Sequence, residues 1–190
     1  MTDAVSLVVM WLQRQRQSAS ARIDLSANTP SDYKAFAVLV SEYVGWCRAR
    51  YQHGAWFVEQ VFGYQDLERE LGELATTYGP PNGRTLLARC DDQICGGGAF
   101  RRLPDGTCEM KRLYVSGSFQ GHGIGGRLAD ALINTARSDG FPLMRLDTGN
   151  LLTEAIDMYH KRGFRDCAPH RYYPQELLPY LVFMELPLSH

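Results

Sequence analysis

The chain has 190 residues, a net charge of −1, 45% hydrophobic and 22% charged residues, and a mean hydropathy of −0.27. That length suits one domain with a short extension, large enough to bury a core without staples. The near-neutral balance, with no basic stripe, argues against a nucleic-acid partner. Cys47, Cys90, Cys95, Cys108 and Cys167 are odd in number, irregular in spacing and without a Cys-x-x-Cys pair, so they read as reduced thiols and no metal site is expected.

Ala4 to Leu12 is apolar apart from Ser6. It is far shorter than the roughly 20 residues of a membrane span. Asp3 precedes it while Arg14 and Arg16 follow, the reverse of a secretory leader. Residues 1–20 therefore read as an N-terminal extension and residues 21–190 as the domain. No membrane association is expected, and the default location is the cytoplasm.

Arg22 to Leu25 reads as a short strand. A helix then starts at Ser31 or Asp32 and runs to about Arg50, with Phe36, Leu39, Val40, Tyr43 and Val44 at helical spacing. Gln65 to Thr77 reads as a second helix, ended by Tyr78-Gly79-Pro80-Pro81-Asn82-Gly83. Arg84–Cys90 and Gln93–Arg101 form a hairpin around Asp91-Asp92, and Thr107–Val115 is a third strand. Helix Ile124–Ser138, strand Leu143–Asp147, helix Thr153–Arg162 capped by Thr153, a strand from Phe164 and a last strand Leu181–Leu186 follow. The order β-α-α-β-β-β-α-β-α-β-β predicts an α/β domain.

Gln120-Gly121-His122-Gly123-Ile124-Gly125-Gly126 lies between a strand and a helix. Glycines admit positive φ and close approach of a ligand to the backbone. The first helical turn adds unpaired N–H groups and partial positive charge, so this is a phosphate site. Which phosphate is left open by the loop alone. Gly121, Gly123 and Gly126 also satisfy the dinucleotide fingerprint G-x-G-x-x-G, with Asp147 near the position of a ribose-binding acid. Against a nicotinamide cofactor stand the intervening Ser116-Gly117-Ser118-Phe119, the 64 residues that follow Gly126, and the hairpins that precede it.

Two segments together are more specific. Gln120, Gly123 and Gly125 fill the pattern Q/R-x-x-G-x-G/A, and Ala155, Tyr159, Gly163 and Phe164 fill A-x-x-x-Y-x-x-x-G-F. The chain thereby resembles the GNAT superfamily of N-acetyltransferases, clearly from Arg84 to Phe164. The resemblance implies a mixed, mostly antiparallel central sheet flanked by helices. It implies acetyl-CoA as co-substrate, its pyrophosphate on the backbone of Gln120, Gly121, His122, Gly123, Ile124, Gly125 and Gly126. Its pantetheine arm would run beside Leu113, Tyr114 and Val115 like an added strand. The Leu113 N–H would support the oxyanion of a direct attack by an amine, with no acyl-enzyme and no metal.

The same resemblance makes Glu109 the candidate general base and Tyr159 the candidate acid that protonates the leaving thiolate. Strand alternation predicts Glu109, Lys111 and Leu113 on one face, and partial burial predicts a raised Glu109 pKa. The competing reading has Glu109 paired with Arg101, Arg102 or Lys111, and Tyr159 packed under the sheet. Many relatives carry an Asn seven residues before this Tyr. Leu152 stands there in this chain, and Asn150 is the candidate replacement.

Family acceptor sites are built by the first two helices, their connection and the loop before the last strand. Trp46, Arg50, Tyr51, His53, Trp56, Phe57, His170, Arg171, Tyr172 and Tyr173 fall in those segments. The aromatic residues fit the lining of a pocket for a small-molecule amine and equally the hydrophobic face of a helix, and the arginines favour an acceptor carrying a carboxylate. A non-catalytic acyl-CoA sensor and a protein N-acetyltransferase are the alternatives, and a homodimer is left open.

Overall fold

The computed structural model describes residues 22–24, 26–51 and 54–188; the extension 1–20, Leu25 and His53 lie outside the described residues. Helix α1 (Pro30–Arg50) starts at Thr29, whose Oγ1 accepts the Asp32 N–H at 3.2 Å while the Asp32 carboxylate accepts the Thr29 N–H at 3.0 Å. Pro30 sets a helical φ at the first position, so the helix opens before Ser31, and Asp32 becomes the third member of a capping box instead of the cap.

Residues 55–64, read from the sequence as a connection, form α2 (Ala55–Tyr64). Neither end has a side-chain cap, and its Phe57, Val58, Val61 and Phe62 are all buried. An apolar, aromatic and β-branched stretch of ten residues carries no clear helix signal until something packs on it. The single helix predicted over 65–77 breaks into α3 (Leu67–Gly72) and α4 (Leu74–Tyr78). Glu73, at φ −123° and ψ 22°, leaves the helical region just after Gly72, a weak helix former.

The sheet comprises β1 (Arg22–Asp24), β2 (Gly83–Cys90), β3 (Gln93–Arg102), β4 (Cys108–Val115), β5 (Leu143–Gly149), β6 (Arg165–Asp166) and β7 (Leu181–Pro187). Their spatial order is β1-β2-β3-β4-β5-β7-β6, and every neighbouring pair is antiparallel except β4 with β5. Helix α5 (Ile124–Ser138) buries Ile124, Leu128, Leu132 and Ala136 against one face of β2–β4. Helix α6 (Thr153–His160) begins after Leu152, with no side-chain cap from Thr153, and ends before Arg162. The helices α1 to α4 cover the opposite face.

Two features of β4 shape everything above it. First, β4 and β5 pair only through Cys108↔Met144 and Glu109↔Arg145. Beyond Glu109 the two strands diverge and leave a gap between the halves of the sheet. Second, β4 carries a bulge. Tyr114 lies opposite Gly97 and Lys111 opposite Ala99, so Arg112 and Leu113 share the space of Gly98, with Arg112 at φ +58°. A bulge shifts the alternation by one. Lys111 and Arg112 consequently point to the same side, and Leu113 packs with the α5 core, not on the face of Glu109 as simple alternation predicts.

The bulge is held by Glu70 of α3. Arg112 donates Nε and Nη2 to its two carboxylate oxygens, both at 2.8 Å, and its guanidinium lies 5.0 Å from the Phe62 ring centre. Both ions are buried, and the bidentate pairing offsets the cost of desolvating them.

Candidate active site

The gap between β4 and β5 opens into a cleft of about 550 Å³ that runs from the glycine loop to the α1–α2 helices. Leu113, Tyr114, Val115, Gln120, Gly121, Gly123, Ile124, Gly125 and Tyr159 line it. At its loop end, Gly121 and Gly123 take φ +80° and +73°, and a Cβ on either would meet nothing within 4 Å. The first helical hydrogen bond of α5 runs from the Arg127 N–H to the Gly123 carbonyl at 3.1 Å. The N–H groups of Ile124, Gly125 and Gly126 therefore precede the helical ladder and are free to bind an anion. Gln120 donates Nε2 to the Val115 carbonyl at 2.9 Å, tying the loop to the end of β4.

Four candidates fall off the cleft wall. Gly126 faces Arg162, whose Nη2 lies 2.6 Å from where a Cβ would be. His122 is exposed, with Nδ1 turned back on the carbonyls of Phe119 and Gln120 at 3.2 and 3.0 Å. Asn150 does not replace the missing amide. Its Oδ1 accepts from Tyr51 Oη at 3.2 Å and its Nδ2 donates to the Pro179 carbonyl at 3.0 Å, so both ends brace the fold. Leu152, buried, lines the cleft in its own right.

Glu109 is the fourth. It is fully buried. Its oxygens meet Arg101 at 2.9 Å, His170 Nε2 at 3.4 Å, Lys111 Nζ at 3.9 Å, and Arg171 in a close contact. Burial alone pushes its carboxyl up, but Lys111, the His170 hydrogen bond, Arg171 and Arg101 together hold it well below the usual carboxylate range. The raised pKa expected from burial is thus reversed, and the competing reading, a Glu109 paired with Arg101 and Lys111, matches the geometry, with Arg171 added.

Lys111 and Asp147 form the floor of the cleft. They stand two residues beyond the last β4–β5 pair, Glu109↔Arg145, one on each diverging strand, and Nζ meets Oδ1 at 3.2 Å. Burial lowers the Lys111 pKa against the opposing pull of Asp147 and Glu109. Gln65 and Tyr173 complete the floor around the other Asp147 oxygen, each at 3.2 Å. Glu109, Asp147 and His170 also present three ligand-type atoms within 4.8 Å of one another. Lys111, Arg101 and Arg171 already neutralise those carboxylates, and a metal ion would have to displace them.

The acetyltransferase (GNAT) family profile matches residues 51–164. This chain belongs to the GNAT acetyltransferase family. The acetyltransferase is 32% identical over 177 residues to an uncharacterized N-acetyltransferase of Schizosaccharomyces pombe, spanning 89% of this chain and 97% of that one. It is 33% identical over 135 residues to an IAA acetyltransferase of Azospirillum brasilense, spanning 65% and 87% of the two chains. Its fold superposes on a GNAT-family acetyltransferase of Staphylococcus aureus with a TM-score of 0.67 at 18% identity, covering 90% of this chain and all of that one. The reaction is acetyl transfer from acetyl-CoA.

In this acetyltransferase Tyr159 reaches the cleft from α6, with its ring edge on Phe164, centroids 5.5 Å apart. Its hydroxyl has no hydrogen-bond partner among the described residues. Burial, with a smaller push from Asp147, raises the phenol pKa, so the group is protonated at neutral pH. The arginines expected to attract a substrate carboxylate are occupied. Arg50 grips both Glu154 oxygens at 2.8 Å, and Arg171 is held by Glu109. Gln65, Lys111 and Asp147, which form the floor, carry no motif. Only the parallel run of β4 and β5 brings the last two to one level.

Proposed function

We propose that this acetyltransferase moves an acetyl group to the primary amine of a small molecule by direct attack in a ternary complex. The observation that carries the reading is the shape of the acceptor end. Tyr43, Trp46, Phe57 and Phe62 wall it. Tyr43 stacks on Trp46 with centroids 6.4 Å apart and meets Phe62 edge-on at 5.9 Å. A peptide needs an open groove, whereas these rings favour a compact substrate.

In this reading the unpaired edge of β4 beyond Glu109 takes the pantetheine arm, and the Leu113 N–H supports the developing oxyanion. The amine lone pair forms the C–N bond and the C–S bond breaks. Tyr159 gives its proton to the thiolate, and the proton lost by the amine returns through solvent. Glu109 is the counter-ion of Arg101, Lys111 and Arg171 rather than the base. The near-neutral charge supports an enzyme that works without nucleic acid, and we place it in the cytoplasm. No helix among the described residues is long and apolar enough to cross a membrane.

The test is thiol release from acetyl-CoA across a panel of amines and of peptides. Turnover with peptides alone overturns the small-molecule reading, and cofactor binding without any turnover makes the chain a sensor. Tyr159→Phe should lower kcat by about 10²-fold while the Kd for acetyl-CoA stays within about twofold of wild type. An unchanged kcat returns Tyr159 to packing against Phe164.

A further inference from the structure

The floor of the cleft holds an atom that acetyl-CoA binding leaves unexplained. Gln65 donates Nε2 to Asp147 Oδ2 at 3.2 Å and to Tyr173 Oη at 2.7 Å, and Tyr173 Oη donates to the same Asp147 oxygen at 3.2 Å. A carboxylate only accepts, so Asp147 fixes which end of the Gln65 amide faces it. The other end, Oε1, is buried without a hydrogen-bond partner. Native proteins rarely leave such an acceptor unmet. Both Gln65 and Asp147 line the cleft. Asp147 has about four acceptor positions, and Lys111, Gln65 and Tyr173 take three of them. Two oxygens on residues that line the cleft, Gln65 Oε1 and one of Asp147, thus each keep room for one more hydrogen bond.

The cations give the second half. Among the described residues, Arg50, Lys111 and Arg112 are the lysines and arginines that line the cleft, and each is already paired, with Glu154, Asp147 and Glu70 respectively. A carboxylate on the acceptor would enter an aromatic chamber with no unpaired partner, a costly burial. A free primary amine, in contrast, carries two N–H donors for the two oxygens and keeps its lone pair for the thioester.

We infer that the acceptor is a primary amine with an apolar body and no carboxylate, its nitrogen held by Gln65 Oε1 and the Asp147 carboxylate. This rests on the small-molecule reading above and narrows it. Tyr43, Trp46, Phe57 and Phe62 pack the body, while Gln65 and Asp147 orient the nitrogen.

The experiment compares 2-phenylethylamine with phenylalanine, which differ by the carboxylate, in the same thiol-release assay. The expected kcat/KM ratio is about tenfold or more in favour of 2-phenylethylamine. Gln65→Met keeps the side chain's length and removes the acceptor oxygen. It should raise KM for the amine by about tenfold and leave KM for acetyl-CoA within about twofold. Equal or better turnover of phenylalanine overturns the inference while leaving the small-molecule reading intact. So does an unchanged amine KM in Gln65→Met. Failure of both amines, and of every other small amine, overturns the two together. The comparison of substrates uses the unaltered chain, so it decides even if Gln65→Met does not fold.

Discussion

Gly123→Val should weaken acetyl-CoA binding by about 10³-fold while the domain stays folded. Gly123 caps α5 at φ +73°, where a Cβ meets nothing within 4 Å. The Cβ displaces no described atom, and the main cost to the fold is the left-handed backbone penalty of about 1–2 kcal/mol, larger for a β-branched residue. The loop relieves that strain by rotating, which turns the Ile124 and Gly125 N–H groups away from the pyrophosphate. Hydrogen bonds to a charged group contribute about 1.5–3 kcal/mol each, so losing two reaches about 4 kcal/mol and a thousandfold in Kd. Calorimetric titration with acetyl-CoA, beside a circular dichroism melt of the same sample, checks both halves. Wild-type affinity in a folded Gly123→Val protein would remove the loop from the cofactor site.

Glu109→Gln separates a base from a counter-ion. The carboxylate lies among Arg101, Lys111 and Arg171. Removing its charge leaves Lys111 with Asp147 alone and takes the carboxylate from Arg101 and Arg171, both half-buried, at a cost of about 3 kcal/mol. The pH dependence has a definite sign. The Glu109 pKa is depressed in the folded protein, below the ordinary 4.5. Its contribution is complete above the unfolded value and disappears as pH falls through the folded one. Urea unfolding at pH 7 should show the loss, and the gap between wild type and variant should narrow progressively below about pH 4.5. The pH profile of kcat/KM should keep its acid limb in whatever variant protein remains folded. A stable Glu109→Gln enzyme that loses the acid limb would restore Glu109 as the base.

The fold, and the place of the glycine loop at the start of α5, were largely legible because both rest on local signals. The hairpin around Asp91-Asp92, the stripe of α5 and the glycine loop are set by residues within one or two turns of each other. Legibility failed where distant parts of the chain decide. The Arg112 bulge depends on Glu70, 42 residues earlier, and it moves Leu113 to the opposite face from Glu109. The charge state of Glu109 depends on His170 and Arg171, 61 and 62 residues later. Gln65 reads as an ordinary helix start until Asp147 and Tyr173 close around it. Asn150 failed for a related reason. An amide at nearly the right place in sequence is claimed by Tyr51 and Pro179, which only tertiary structure brings to it.

The short β4–β5 ladder has a mechanical consequence. Two residue pairs, the Lys111–Asp147 bridge and the bonds of Arg145 to Asp105 and Thr107 join the β1–β4 half of the sheet to the β5–β7 half at this seam. A cofactor arm laid along the open edge of β4 would act as a backbone splint over the same seam. On the proposed reading, the empty enzyme should be looser along this seam than the enzyme loaded with its donor. Amide hydrogen exchange at Lys111 to Val115 should slow on adding coenzyme A, far more than in the β2–β3 hairpin, which is fully paired with or without it.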